Sequence, residues 1–291
     1  MRGTSRASLA EARDRLVDLV TRRDAGAAGQ ALHRVTDAVT GREASQASAV
    51  GDELFAVTDL LDRDGPLRRA LSDPSRPSQV KVAVVDALLR GRISDATVDV
   101  VTTLVTGHWS APADLPDAAE ELAVQALALA ADSAGQLDDL EDELFRFGRL
   151  LAAYPQLRIA LTNPRLPVER RLELVNALLD GKVTGPALRL VRQAVGHPRG
   201  RSLDGTLQEY ARIAAAERER LIAEVRVAAP LSAGQQARLA AALAAQYGRR
   251  VHLNVLVDPG VVGGVLIKVG DDVIDGSIAS RLGELRRRLA S

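Results

Sequence analysis

The sequence predicts a mostly α-helical protein in which two tandem helical bundles, related by an internal duplication, precede a small C-terminal α/β domain. Residues 52–109 align without a gap with residues 142–199, ninety positions further on. Apolar residues recur at helical spacing up to about residue 222, where alternating β-branched runs typical of strands take over. We therefore expect domains at residues 1–114, 115–222 and 223–291.

Composition excludes several classes of function. The 291 residues carry 38 basic and 38 acidic side chains, so no net charge favours nucleic acid or an anionic membrane. Cysteine is absent and the four histidines lie far apart, which removes thiolate chemistry and His-x-x-x-His metal pairs. No apolar run approaches the roughly 18 residues that a membrane helix needs, so we expect no direct membrane insertion.

The duplication extends to turn residues, which two unrelated Ala- and Leu-rich helices would not share. The matching segments are DELF at 52–55 and 142–145, LRRALSDP at 67–74 with LRIALTNP at 157–164, and VDALLRGRI at 85–93 with VNALLDGKV at 175–183.

Each copy predicts the same succession of helices. In the first, a helix through residues 52–61 is followed by a break at Asp73-Pro74, because proline disfavours helical dihedrals in the preceding residue. Ser78 can cap a helix that ends at Gly91, and Asp95 can cap the next. The second copy predicts a break at Asn163-Pro164 and helices over 168–180 and 185–195, and further helices are predicted at 9–20, 27–40, 115–132 and 203–222.

The last 70 residues predict the order β-α-β-β-α. A strand within 221–231 precedes a helix that Ser232 caps, and 252–257 is a second strand. Strands at 264–269 and 273–274 flank Gly270-Asp271-Asp272, a hairpin turn. A helix over 277–290 closes the chain.

No constellation for catalysis is present. Gly181-Lys182 is followed by Val183, so it is a helix terminator rather than a phosphate loop. The glycines at 260–264 precede a strand instead of joining a strand to a helix. We therefore predict no catalytic residue, no cofactor and no metal site.

The C-terminal segment VDPGVVGGVLIKVGDDVIDGSIASRLGELRRRLAS resembles the signature of the delta subunit of F-type ATP synthases, the family that includes the mitochondrial oligomycin-sensitivity-conferring protein. The resemblance covers roughly residues 115–291. An additional bundle in front of it is a departure from the common pattern and resembles long actinobacterial members. The signature residues, which we expect to have structural roles, are Asp258, Pro259, Gly263, Gly264, Gly270, Asp271, Asp275, Gly276 and Ser277.

The resemblance implies a non-catalytic stator subunit on the cytoplasmic face of the cell membrane, held there peripherally as part of the complex. Its helical bundle is expected to bind N-terminal helices of alpha subunits, and its C-terminal domain is expected to bind the b subunit of the peripheral stalk. We expect the alpha helix to bind in a groove between the helices at 115–132 and 185–195. The predicted contacts are the small residues Ala123, Ala126 and Ala130 and the apolar residues Leu127, Leu188 and Val191. The alternative is that these residues are ordinary core.

Two other classes of function remain open from the residues alone. A helical-repeat cytosolic adaptor unrelated to the synthase would share the helix-in-groove recognition, but it would not co-purify with the synthase head. An enzyme would need a carboxylate with a strongly shifted pKa in a pocket.

Overall fold

The computed structural model describes residues 3–21, 35–218, 221–247, 251–258, 264–269 and 272–275. It divides the chain into two compact units, Met1–Arg218 and Glu219–Ser291, each with its own hydrophobic core. The predicted fold class is confirmed, because helices make up the first unit and a small sheet with one described helix makes up the second. The helices of the first unit are α1 (Gly3–Thr21), α2 (Val35–Arg63), α3 (Gly65–Ser72), α4 (Ser78–Leu89), α5 (Asp95–Thr106), α6 (Asp114–Ser133), α7 (Leu137–Ala153), α8 (Pro155–Thr162), α9 (Val168–Leu179), α10 (Gly185–Gly196) and α11 (Leu203–Arg218).

The duplication is visible in where helices begin and end. Helices α3, α4 and α5 recur as α8, α9 and α10 at an offset of ninety residues. The turns that separate them recur as well: Asp73 Oδ1 accepts a hydrogen bond from the Ser75 amide at 2.9 Å, and Asn163 Oδ1 accepts one from the Arg165 amide at 2.9 Å. Such side-chain turns divert the chain after each short helix and set the angle of the next one.

Helix α6 belongs to both repeats. It packs against α2 and α5, as α11 packs against α7 and α10. It also precedes α7, as α1 precedes α2, and one continuous core runs across both repeats. We call α1–α6 the first repeat and α6–α11 the second. The domain boundary proposed at 114/115 falls at the first turn of this shared helix and stays a prediction.

Helix α2 is longer than the sequence indicates. Predicted helices at 27–40 and 52–61 left an interruption, whereas the structure has one helix over Val35–Arg63; residues 27–34 lie outside the described part. The helix continues through Gly51 because α6 lies close against it: a Cβ at Gly51 would stand 2.9 Å from Leu127 Cγ and 3.1 Å from the Ala123 carbonyl oxygen. A glycine that weakens an isolated helix is here required by packing.

The second unit contains β1 (Leu221–Val227), α12 (Ala233–Tyr247), β2 (Val251–Val257), β3 (Val265–Val269) and β4 (Asp272–Asp275). Its sheet has the order β2-β1-β3-β4, in which β1 is parallel to β2 and antiparallel to β3. Strands β3 and β4 form the expected antiparallel pair, with Val269 opposite Asp272. The core consists of alternate strand residues and one helix residue, Ala223, Val225, Val227, Ile267, Val269 and Leu243. The predicted helix at 277–290 lies outside the described residues.

Candidate partner-binding surfaces

The described signature residues lie at strand ends. The Asp258 amide donates to the Val227 carbonyl oxygen at 2.8 Å, just after β2. Gly264 has φ +85° immediately before β3, a conformation that favours glycine. Asp275 ends β4 opposite Leu266. The remaining signature residues, Pro259, Gly263, Gly270, Asp271, Gly276 and Ser277, lie outside the described part of the chain.

The six residues predicted to line a groove are largely inaccessible. Ala123, Ala126 and Leu127 are fully buried, and Ala130 and Val191 are 2% exposed. Leu188 is half-buried. Their burial agrees with the alternative that they are core residues, and contact with a partner helix stays a prediction.

The helix that covers them is α2 of the same chain. Besides the approach of Gly51 to Leu127, three acidic side chains of α2 pair along α10 and the loop after it. Asp52 contacts Arg189 Nε at 3.2 Å, Asp59 contacts His197 Nδ1 at 3.0 Å, and Arg199 Nε donates to Asp62 at 2.5 Å. Helix α2 therefore occupies the groove between α6 and α10. The sequence did not predict that α2 lies here, because the acidic residues of α2 and their basic partners are about 137 residues apart in the chain.

A buried charge cluster fastens α2, α6 and α11 together. Arg199 is bound to Asp62, Asp117 and Glu120. Glu120, only 3% exposed, also accepts from Arg201 and from the Tyr210 hydroxyl, the latter at 2.6 Å. Burial and then the charge of Glu120 raise the pKa of Tyr210, so its hydroxyl stays a donor at neutral pH. Each charge in this cluster contacts at least one opposite charge, which suits a structural role rather than proton transfer.

A carboxylate clamp occurs once in each repeat. Glu53 accepts from the Ser94 amide at 3.0 Å and from the hydroxyl groups of Ser94 and Thr97 at the start of α5. Glu143 accepts from the Thr184 amide at 2.9 Å and its hydroxyl at 2.7 Å at the start of α10. The sequence signal was available, because the glutamate of each DELF segment precedes a Ser or Thr cap by the same 41 residues.

More large apolar side chains are exposed in the second repeat than in the first, which exposes Leu60 and Val80. Phe145, Tyr154 and Ile159 are 60–62% exposed, and Leu166 is 40% exposed. At the equivalent positions the first repeat has Phe55, buried 6.4 Å from the Tyr210 ring, and three charged residues, Asp64, Arg69 and Arg76. Exposed apolar surface is typical of a binding site, although the Arg149 guanidinium lies over the Phe145 ring, 5.9 Å from its centroid. The alignment of the two repeats already shows the exchange of apolar for charged residues at three of these positions. Such exchanges are overlooked when only identical residues are compared.

Within the described ranges, no group of three or more His, Cys, Asp or Glu side chains could hold a metal ion. None of the helices described is both long enough and apolar enough to cross a membrane.

Comparison with known proteins identifies the family. The family described as "ATP synthase delta (OSCP) subunit" matches residues 124–289. A protein of Streptomyces avermitilis named ATP synthase subunit delta is 49% identical over 255 residues, covering 88% of this chain and 93% of its own. The chain belongs to the ATP synthase delta (OSCP) subunit family. The predicted resemblance is thereby confirmed.

Other delta relatives share the entire length. The ATP synthase subunit delta of Thermobifida fusca is 43% identical over 290 residues, and that of Acidothermus cellulolyticus is 44% identical over 291, each covering 100% of both chains. The first repeat, most of which lies outside the matched family region, is therefore shared with these delta proteins. A chain of the Toxoplasma gondii mitochondrial ATP synthase hexamer, solved by cryo-electron microscopy, is 24% identical in sequence. The match covers 58% of this chain and 95% of that chain, with a TM-score of only 0.26.

Proposed function

We propose that this chain is the stator subunit that links the alpha/beta head of an F-type ATP synthase to the b subunit of the peripheral stalk. In that position it keeps the head from turning with the rotor, so that rotation is coupled to ATP synthesis. The observation that carries the proposal is the match to delta subunits along the whole chain. The subunit would be non-catalytic and held peripherally at the cytoplasmic face of the cell membrane.

The helical unit is the proposed site for an alpha N-terminal helix. The exposed residues Phe145 and Ile159 support this assignment, because amphipathic helices are bound through apolar anchors. A partner helix in the α6–α10 groove would instead have to displace α2, whose Leu54 and Leu61 belong to the core. The surface of the second repeat is therefore the better candidate for the contact.

The α/β unit is the proposed site for b. Val257 at the end of β2 is 50% exposed, and β2 is an edge of the described sheet. An apolar side chain beside a strand edge offers both main-chain and side-chain contacts to a partner. Two units with separate cores suit a connector, since each can hold one partner.

Affinity purification of the full-length tagged chain from detergent-solubilised membranes tests the proposal. We expect alpha, beta and b to co-purify with the native chain. The double variant Phe145→Asp/Ile159→Asp should lose alpha and beta but retain b, and Val257→Asp should do the reverse. Arg69→Asp, at the first-repeat position equivalent to Ile159, is the matched control and should retain all three. Recovery of the native chain without synthase subunits would favour the unrelated adaptor.

A further inference from the structure

We propose that the second repeat contains a binding site for an oxyanion of the phosphate or carboxylate type. An open depression of about 390 Å³ lies where α8 and α10 end and α11 begins. The polar residues that line it include Arg158, Thr162, Arg171, Arg201, Ser202 and Asp204. This proposal concerns the isolated chain and does not depend on the stator function.

The lining carries more positive than negative charge. Three arginines face one carboxylate, Asp204, and the Arg158–Asp204 separation of 3.8 Å is a loose ion pair. Arg201 pairs with Glu120, but Glu120 is already shared with Arg199 and Tyr210. Positive charge in excess at a concave surface attracts anions.

Arg171 places a buried positive charge beside the depression. It is 91% buried, since its exposed fraction is 9%, yet no carboxylate among the described residues pairs with it. Nη1 donates to the Val195 and Leu161 carbonyl oxygens at 3.0 and 3.4 Å, whereas Nε is buried without an acceptor in the described part of the chain. A buried cation without a counter-ion is costly unless an anion approaches it.

The first turn of α11 adds a second attraction. Ser202 accepts from the Gly205 amide at 3.1 Å, and Ser202 and Leu203 line the depression. Amide groups at the start of a 16-residue helix favour negative charge. Guanidinium groups bind phosphate and carboxylate oxygens in pairs, so the arginines and the helix terminus favour the same chemistry.

The first repeat has only part of this arrangement. Its equivalent of Arg171 is Lys81, which is also buried. Arg68, equivalent to Arg158, donates instead to the backbone oxygens of Leu61 and Asp62 at 3.0 and 3.4 Å. A buried cation at this position is therefore common to both copies, whereas the arginine side chains that line the depression around it belong to the second.

Calorimetric titration of the full chain with inorganic phosphate and, separately, with citrate tests the site, at constant ionic strength set with chloride. We expect saturable binding of at least one of the two oxyanions. The anion that binds more tightly shows whether the ligand is of the phosphate or of the carboxylate type. Arg158→Gln should weaken it about tenfold, since one charge-assisted hydrogen bond is lost. Asp204→Asn should strengthen binding because it removes the opposing charge.

Arg170→Gln is the matched control, because Arg170 is an exposed arginine of α9 that pairs with Glu173 and does not line the depression. It should bind like the native chain. Thermal midpoints of all variants within about 2 °C of native would show that the fold is intact. Absence of saturable binding of both oxyanions, or equal weakening in Arg158→Gln and Arg170→Gln, would overturn the proposal.

Discussion

At the scale of single residues, some buried charges of the helical unit have an opposite charge in contact and others do not. This difference has measurable effects on stability. Arg199 and Glu120 pair with each other, whereas Lys81 is 4% exposed and forms no ion pair with a described residue. A paired buried charge stabilises the fold only while its partner remains. An unmatched buried amine makes stability depend on pH.

Replacing Arg199 by Met should destabilise the chain by about 3–5 kcal/mol, because Glu120 would keep its buried charge with only part of its compensation. Urea unfolding followed by tryptophan fluorescence measures the change. Arg170→Met, which removes an exposed pair with Glu173, should cost less than about 1 kcal/mol. Similar losses in both variants would contradict a special role for the buried cluster.

Burial lowers the pKa of Lys81 below its usual value, although the charge of Asp73 opposes the shift. Between the lowered pKa and 10.5 the unfolded chain binds more protons than the folded one, so stability should rise with pH across that window. Lys81→Met should abolish this part of the rise. The check is the free energy of unfolding of both proteins at several pH values from 7 to 10, and identical slopes would refute the account.

At the scale of elements, one glycine fixes how closely two helices approach. Gly51→Ala should destabilise by about 1–3 kcal/mol, since its Cβ would stand 2.9 Å from Leu127 Cγ. Gly148→Ala in α7 meets nothing within 4 Å and should stabilise by up to about 1 kcal/mol. Denaturation midpoints give both values, and effects of the same sign would mean that α2 is not held against α6 as described.

The carboxylate clamps make a parallel prediction for α5 and α10. Glu53→Gln and Glu143→Gln should each cost about 1–2 kcal/mol, because the amide accepts fewer and weaker hydrogen bonds at the helix start. Glu173→Gln on the exposed side of α9 is the control. Protection of the first amides of α10 against hydrogen exchange should fall in Glu143→Gln and remain in the control.

At the scale of the whole molecule, the separate cores predict separate unfolding. The single tryptophan, Trp109, is buried in the helical unit, where its Nε1 donates to the Leu104 carbonyl oxygen at 2.8 Å. Val225→Ala removes core volume from the α/β unit alone. It should destabilise the α/β unit by about 2 kcal/mol, which lowers the midpoint of the transition that circular dichroism of the strands follows. The transition that tryptophan fluorescence follows should stay unchanged. A joint shift of both signals would show that the units unfold together.

Local signals in the sequence predicted much of this molecule. Proline and glycine placed the C-terminal ends of α3, α4, α8 and α9, and alternation of apolar residues placed β1, β2 and β3. The predicted caps Ser78 and Asp95 were wrong, because each is the first residue inside its helix and Pro77 and Ser94 occupy the cap positions. The continuity of α2 was missed. Glycines at 41 and 51 weaken a helix considered alone, and the approach of Leu127 on another helix explains why position 51 is glycine. The groove residues are mostly buried inside the chain, and their contact with a partner helix stays a prediction, because helical periodicity does not reveal which helix packs against them. Long-range pairs such as Asp59 with His197 leave no local pattern.

The sharing of α6 has a mechanical consequence. Where two repeats are joined by a linker, the joint can flex, and elastic strain accumulates there under torque. Here the last helix of one repeat is the first helix of the next, so no joint exists between them at which the chain could bend. A close-packed interior has low compressibility and transmits strain. The two repeats should therefore respond to a pulling force as one stiff body, and under the proposed stator function any compliance would have to reside outside them.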